Sequence, residues 1–326
     1  MILGLIFLII FFSLILIKST DLVIVAIRRL SRETHTGVFA LSAVILAVGT
    51  SFPELFVGIT SALEGAPSVS LGDITGSNIA NIALIGGLAA LTAGRVNVHG
   101  DYLRREVWIA LIASVIPVFL ILDKTLSRID GLILISLYLA NASSFFKTRF
   151  VQIGKEQQEE SFFYRFLRQF NHVASRKRKE IGRFFIGIAL MLFSADCMVR
   201  IAVYLASLAN IPEFMIGVVF IAVGTSLPEL VFSFRSLQEH EPSMFFGNLL
   251  GSTIVNSSLI IGIVSLIHPI HLIAVSQYFI AVATFILVFV CFWIFIRTKH
   301  RLERWEAVML LLLYLTFLIA ELSKMP

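Results

Sequence analysis

Apolar residues in this chain recur in runs of about twenty, and that pattern limits the fold more than any other feature. Ten segments are long and apolar enough to cross a bilayer as helices: residues 2–27, 37–63, 67–93, 106–122, 129–146, 182–209, 212–237, 243–267, 272–296 and 305–322. Lipid offers no water to unpaired backbone groups, so each run must close its hydrogen bonds internally. Runs this long and continuous suit helices, not the short alternating strands of a barrel. Of the 326 residues, 58% are hydrophobic and 14% charged, with mean hydropathy +0.92; a soluble domain carries about 25% charged residues. The expected fold is all-α, a polytopic membrane protein of ten transmembrane helices embedded in the lipid bilayer. The first run, "MILGLIFLIIFF", has neither a basic leader nor a small-residue cleavage site, and it reads as a retained span.

Lysine and arginine sort the loops. Arg28, Arg29 and Arg32 follow the first span, Arg95, Arg104 and Arg105 the third, and Arg297, Lys299, Arg301 and Arg304 the ninth. The fifth loop is the most basic, with "SRKRKE" at Ser175–Glu180, while the even loops are short and nearly free of basic residues. Odd loops therefore face the cytoplasm and both termini face outward, in a cell membrane. The net charge of +5 reflects this topology and implies no nucleic-acid partner. Cys197 and Cys291 sit in apolar runs without metal-ligand spacing and read as packing residues.

The chain repeats itself. "AVGTSFPEL" at Ala47–Leu55 returns as "AVGTSLPEL" at Ala222–Leu230, an offset of 175 residues. The same offset carries Pro67 to Pro242, Gly72 to Gly247, Gly76 to Gly251, Ser77 to Ser252, Asn81 to Asn256 and Asp21 to Asp196. Between Val44 and Leu91 nearly half of the positions match their partners. The duplication divides the chain into a first five-helix repeat, 1–146, a basic linker, 147–181, and a second five-helix repeat, 182–326. Five is odd, so the second repeat enters the membrane inverted. Inverted repeats mark alternating-access transporters, whose sites lie at the repeat interface near the midplane.

The repeated stretch is costly in lipid. Pro53 removes a backbone donor and frees the carbonyl of Gly49, and unwound backbone at membrane depth survives only in protein or beside a cavity. Freed carbonyls and the hydroxyls of Thr50 and Ser51 are hard oxygen ligands. Glu54 follows Thr50 by one turn; Ser77 and Asn81, four apart, share a face of the next helix. The second repeat supplies Thr225, Ser226, Glu229, Ser252 and Asn256. The set holds two carboxylates and a ring of neutral oxygens, with no histidine or thiolate, which argues against zinc or copper. Ca²⁺ accepts six to eight oxygens in flexible geometry; smaller groupings suit Na⁺. No resident cofactor is implied.

Structural explanations compete residue by residue. A proline in a span is usually a kink, and a serine usually bonds its own helix. A mid-span glutamate costs roughly 2.5–3.5 kcal/mol on insertion scales, so two related by a repeat point to function. Ser77, Asn81, Ser252 and Asn256 have helix–helix hydrogen bonding as their alternative. Asp21 and Asp196 have Lys18 and Arg200 nearby as ion-pair partners. Gly72, Gly76, Gly247 and Gly251 read as close helix contacts. Asp73, whose repeat partner is Asn248, reads as a helix N-terminal carboxylate favoured by the dipole, with an extra vestibule charge as the alternative.

At these residues the chain resembles the Ca²⁺/cation antiporter superfamily, and prokaryotic Na⁺/Ca²⁺ exchangers in particular. The motifs are "GTSFPEL…GSNIAN" over Gly49–Asn81 and "GTSLPEL…GSTIVN" over Gly224–Asn256. The resemblance implies that Glu54 and Glu229 bind Ca²⁺ together with the carbonyls of Thr50 and Thr225. It implies flanking Na⁺ sites at Ser51, Ser77, Ser226 and Ser252, and movement of the first and sixth spans past the core. Two departures stand out: Asn81 and Asn256 are both amides where some members carry an aspartate, and Thr253 replaces the asparagine of "GSN". The linker, about 35 residues, is too short for a folded regulatory Ca²⁺ domain.

The reading is thus a secondary antiporter exchanging Na⁺ for Ca²⁺, functional as a monomer. The alternative is H⁺/Ca²⁺ exchange, with Glu54 and Glu229 alternating between Ca²⁺ and protons. A channel would use the same ligands without the inverted repeat's alternating access. An intramembrane enzyme is disfavoured, because Ser51 and Ser226 have no His or Lys at helical spacing to activate them.

Overall fold

The computed structural model describes residues 2–33, 49–97, 101–153, 175–238, 242–299 and 301–323. In the first repeat, α1 is Ile2–Glu33, α2 is Phe52–Leu63, α4 is Asp101–Leu120 and α5 is Arg128–Ile153. Between them α3 runs through Pro67–Ile79, a π-helical segment Ala80–Ile85, and Gly86–Ala93. In the second repeat, α6 is Ser175–Ala209, α9 is Val275–Lys299 and α10 is Arg304–Leu322. There α7 comprises Glu213–Ile216, π-helical Gly217–Ile221, Ala222–Thr225 and Leu227–Gln238. Next, α8 comprises Pro242–Ile254, π-helical Val255–Ile260 and Ile261–Ile267. Among the described residues, seven helices are long and apolar enough to cross a membrane, and Phe52–Leu63 and Val107–Asp123 are shorter apolar helices. The first part of the expected second span and the middle of the linker, 154–174, lie outside the described residues.

Local chemistry sets the helix ends. Pro67 and Pro242 stand at first helical positions, where the missing N–H would have no intrahelical partner. The turn after α2 places Gly65 at φ 75°, with Ala66 N–H bonded to Ser61 C=O at 2.8 Å and Gly65 N–H to Ala62 C=O at 3.3 Å. This is a Schellman closure, and only glycine adopts that φ without strain. A capping box opens α10, with the Glu303 N–H donating to the Glu306 carboxylate at 2.8 Å.

Helix burial separates an inner from an outer set. In an 18-residue stretch of Pro67–Ala93, 78% of the residues are buried inside the protein, and in one of Met244–Ile267, 72%; the like stretches of Leu3–Val23 and Lys179–Ala209 reach only 28% and 39%. Hence α3 and α8 form the centre, while α1 and α6 pack along each other at the side. Ile9, Leu16, Met191 and Met198 lie at the heart of their apolar contact, a second cluster that also takes in Val57, Val69, Ile216 and Ile221 of the inner helices. The opposite faces of this pair present Phe7, Leu14, Phe185 and Phe193 outward, as a lipid boundary requires.

Two short antiparallel ribbons add to the all-helical expectation. Arg95–Asn97 (β1), after α3, pairs with Arg301–Glu303 (β4), after α9; Thr125–Leu126 (β2), after α4, pairs with Ile270–His271 (β3), after α8. The repeat offset carries Arg95 to Ile270 and Leu126 to Arg301, so each ribbon joins one half to the other and the two ribbons are images of each other. They lie at opposite ends of α9, the arrangement that inversion demands.

Candidate functional site

Each "AVGTS.PEL" stretch breaks its helix at the serine. Ser51 has φ −85° and ψ 11°, and Ser226 has φ −81° and ψ 1°, a sparsely populated bridge conformation shared by both. Fresh helix begins at Phe52 and at Leu227, with Glu54 and Glu229 in the first turn. There the helix dipole and free N–H groups favour a carboxylate. Neither serine hydroxyl caps its helix; both oxygens are buried without a hydrogen-bond partner among the described residues.

The partner helices hold Asn81 and Asn256 within a second irregularity. The π segments Ala80–Ile85 and Val255–Ile260 are related residue for residue by the 175 offset, and Asn81 and Asn256 are the second residue of each. A π turn inserts one residue and re-aims the side chains around it, and such turns cluster at functional sites.

Hydroxyl contacts then cross between the halves in mirrored fashion. Thr50 Oγ1 donates to Asn248 Oδ1 at 3.1 Å and lies 3.3 Å from Ser252 Oγ. Thr225 Oγ1 donates to Asp73 Oδ1 at 2.8 Å and lies 3.3 Å from Ser77 Oγ. Ser252 Oγ makes a long contact of 3.4 Å to Glu229 Oε1. The close approach behind this is glycine-dependent: a Cβ on Gly72 would lie 2.2 Å from the Phe214 carbonyl oxygen, and one on Gly217 2.3 Å from that of Val69. So α3 and α7 touch backbone to backbone, as expected for Gly72 and Gly76; around Gly247 no described atom lies within 4 Å.

All ten expected site residues are buried, Glu54 and Glu229 completely. Thr50 and Ser252 are brought together in one cluster and Thr225 and Ser77 in its mirror image, and Ser51, Glu54, Asn81 and Ser226 keep buried oxygens without a hydrogen-bond partner. Among the described residues no lysine, arginine or histidine pairs with Glu54 or Glu229, and no three His, Cys, Asp or Glu side chains form a conventional metal cluster. Hydroxyls, amides and carboxylates define the site, a donor set for hard cations.

Asp73 corrects the sequence reading. It lies well inside α3, away from the helix N-terminus, fully buried, and it accepts the Thr225 hydroxyl. Asn78 and Asn248 were not expected at the site and belong to it. A directed relay starts at the Ala110 carbonyl, which accepts from Ser114 (2.8 Å), which accepts from Ser257 (3.2 Å). Asn78 Nδ2 donates to Ser257 Oγ at 2.8 Å, and Asn256 Nδ2 donates to Asn78 Oδ1 at 3.3 Å. This order leaves the buried Oδ1 of Asn256 without a partner, available to a cation. The available signal was a polar residue one turn before each of Ser77 and Ser252, and, for Asn78, its place directly beside Ser77. Asp196 is explained by structure: Arg200 pairs with it at 3.0 Å and with Glu64 at 2.6 Å, while Asp21 is exposed.

The sequence matches the family described as "Sodium/calcium exchanger protein" over residues 4–147 and again over 179–322. It is 28% identical over 342 residues to the sodium/calcium exchanger MaX1 of Methanosarcina acetivorans, covering 96% of this chain and 97% of that one. It is 31% identical over 258 residues to the inner membrane protein YrbG of Escherichia coli, covering 78% of each. Among solved structures the fold matches the sodium-calcium exchanger NCX_Mj, with TM-score 0.62 and 24% identity over all of both chains. It also matches the H⁺/Ca²⁺ exchanger CAX, with TM-score 0.69 and 17% identity over 98% of this chain and 87% of that one. At these identities the structural likeness is one of fold. The family pattern thus falls once on each half of a chain whose buried oxygens come from matching residues of both halves, and the protein belongs to the sodium/calcium exchanger family.

Proposed function

We propose that the protein is a secondary antiporter that exchanges Na⁺ for Ca²⁺ by alternating access, with Ca²⁺ held by Glu54 and Glu229 and Na⁺ by the flanking hydroxyls and amides. Membership in an exchanger family supports ion transport rather than catalysis. The observation that carries the finer reading is the mirrored network at the repeat interface. Two hydroxyl pairs, Thr50 with Ser252 and Thr225 with Ser77, bridge the halves beside carboxylates that no cationic side chain neutralises among the described residues. Buried charge without a partner is strongly destabilising, so the site is built to be completed by its cargo. Neutral oxygens around the glutamates are good Na⁺ ligands and poor proton carriers, which favours Na⁺ over H⁺ coupling.

In this reading the five-helix halves, 1–146 and 182–326, are inverted about the site and joined by a cytoplasmic linker, with both termini outside and the monomer as the transporting unit. We read α1 and α6, which pack along each other at the side and keep their outer faces exposed, as the pair that slides past the inner helices. The second reading, H⁺/Ca²⁺ exchange, is favoured by the pair of buried carboxylates, which can carry two protons in place of one Ca²⁺. Uptake of ⁴⁵Ca²⁺ into proteoliposomes separates the two. A Na⁺ gradient at equal pH drives flux in the first reading; flux that follows only a pH gradient decides for the second.

A further inference from the structure

We propose that Asp73 is a third cation-binding carboxylate and that, with Ser77 and Thr225, it holds an alkali cation alongside Ca²⁺. The proposal deepens the exchange reading and rests on it. Asp73 is fully buried inside α3, and among the described residues no basic side chain pairs with it. Its Oδ1 accepts hydroxyls from Thr225 at 2.8 Å and from Ser77 at a long 3.4 Å. Its Oδ2 is buried and has no hydrogen-bond partner among the described residues.

The mirror flank shows what the charge is not for. At the matching position, one turn before its own α8 serine, Asn248 accepts the Thr50 hydroxyl at 3.1 Å, while its Nδ2 donates to the Glu229 carbonyl at a long 3.5 Å. A neutral amide therefore suffices for the packing and the hydrogen bond. Asp73 supplies that same acceptor plus a negative charge buried away from water, where charge is costly. The remaining use for that charge is a cation. One carboxylate and two hydroxyls are hard oxygen donors without nitrogen or sulfur, which suits an alkali ion.

Charge balance indicates when this ion is bound. Glu54 lies within Coulombic reach of both Glu229 and Asp73, so the three carboxylates share one field. Ca²⁺ offsets two negative charges and leaves one. A Ca²⁺-loaded carrier that changes its exposure with a bare buried charge crosses a higher barrier than a neutral one. One alkali cation beside Asp73 removes the excess. The two flanks are therefore unequal: the Asp73 flank is anionic and the Asn248 flank neutral.

The test is Ca²⁺/Ca²⁺ self-exchange in proteoliposomes, with equal Ca²⁺ on both sides and ⁴⁵Ca²⁺ on one. The bath contains choline alone, or choline with the same low millimolar Na⁺ or K⁺ on both sides, so that no gradient drives flux. Wild-type self-exchange should be at least about tenfold faster with an alkali cation than in choline, and the Na⁺ and K⁺ arms identify which ion is taken. Asp73→Asn, which reproduces the Asn248 arrangement, should run at one rate in all three baths. Adding Asn248→Asp to Asp73→Asn should restore the alkali requirement, because it restores the charge. Wild-type self-exchange that is equally fast in choline overturns the proposal without any variant, and so does an alkali requirement that persists in Asp73→Asn. Na⁺-gradient-driven uptake in the same vesicles keeps the two ideas apart. Its absence with self-exchange intact refutes Na⁺ coupling, whereas its presence with alkali-independent self-exchange refutes the role of Asp73.

Discussion

Replacing Gly72 by alanine should damage both the fold and the site, by an amount the backbone geometry sets. The added Cβ would lie 2.2 Å from the Phe214 carbonyl oxygen, where ordinary contact begins at 3.4 Å. A carbonyl inside a helix cannot swing aside as a side-chain tip does, so α3 and α7 must separate by about 1.2 Å. Overpacking of this kind costs about 1–3 kcal/mol. The same separation stretches the 2.8 Å bond from Thr225 to Asp73 towards 4 Å, beyond hydrogen-bonding range. Losing a hydrogen bond to a charged acceptor adds about 1.5–3 kcal/mol. Because Ser77 rides on α3 and Thr225 on α7, a misplacement near 1 Å should cut Ca²⁺ flux about a hundredfold. Thermal unfolding in detergent, read by size exclusion, and ⁴⁵Ca²⁺ uptake in proteoliposomes measure the two effects. Gly217→Ala, whose Cβ meets the Val69 carbonyl at 2.3 Å, should behave alike, and Gly4→Ala, which meets nothing within 4 Å, should match wild type. Wild-type unfolding temperature and flux in Gly72→Ala would refute the backbone-contact argument.

Glu54→Gln and Glu229→Gln should each abolish Ca²⁺ uptake while the protein still elutes as a folded species; near-normal uptake in either would remove that residue from the site. Asn78→Leu cuts the relay that orients the Asn256 amide, and should raise the cation concentration for half-maximal flux about fivefold, the worth of one hydrogen bond, at little cost in maximal rate. In an Asn256→Asp background, where both terminal atoms are oxygen, the Asn78→Leu effect should vanish; a persisting effect would mean Asn78 acts through packing. Cysteines at Gly65 and Gln238, in matching loops of the two repeats, should label from opposite sides of intact cells, and labelling of both from one side would contradict the inversion.

Much of this molecule was legible along the chain, because a bilayer leaves a backbone few choices. Apolar run length located the helices, and α3, α6, α8 and α9 lie where the runs predict. The duplicated motif located the helix breaks, since proline two residues past a serine cannot bond back in either half. Glu54 and Glu229 stood out because charge at mid-span has a cost no fold incurs by accident. Tertiary structure decided what neighbours do to one another. Pairing of β1 with β4 and of β2 with β3 joins segments far apart in sequence, too short to carry a strand pattern. The π turns at Asn81 and Asn256 depend on packing against facing helices, to which local propensity is blind. Asp73 was misread for the same reason. Its sequence neighbours give no sign of the Thr225 hydroxyl, which reaches it only because Gly72 and Gly217 let two helices from opposite halves touch.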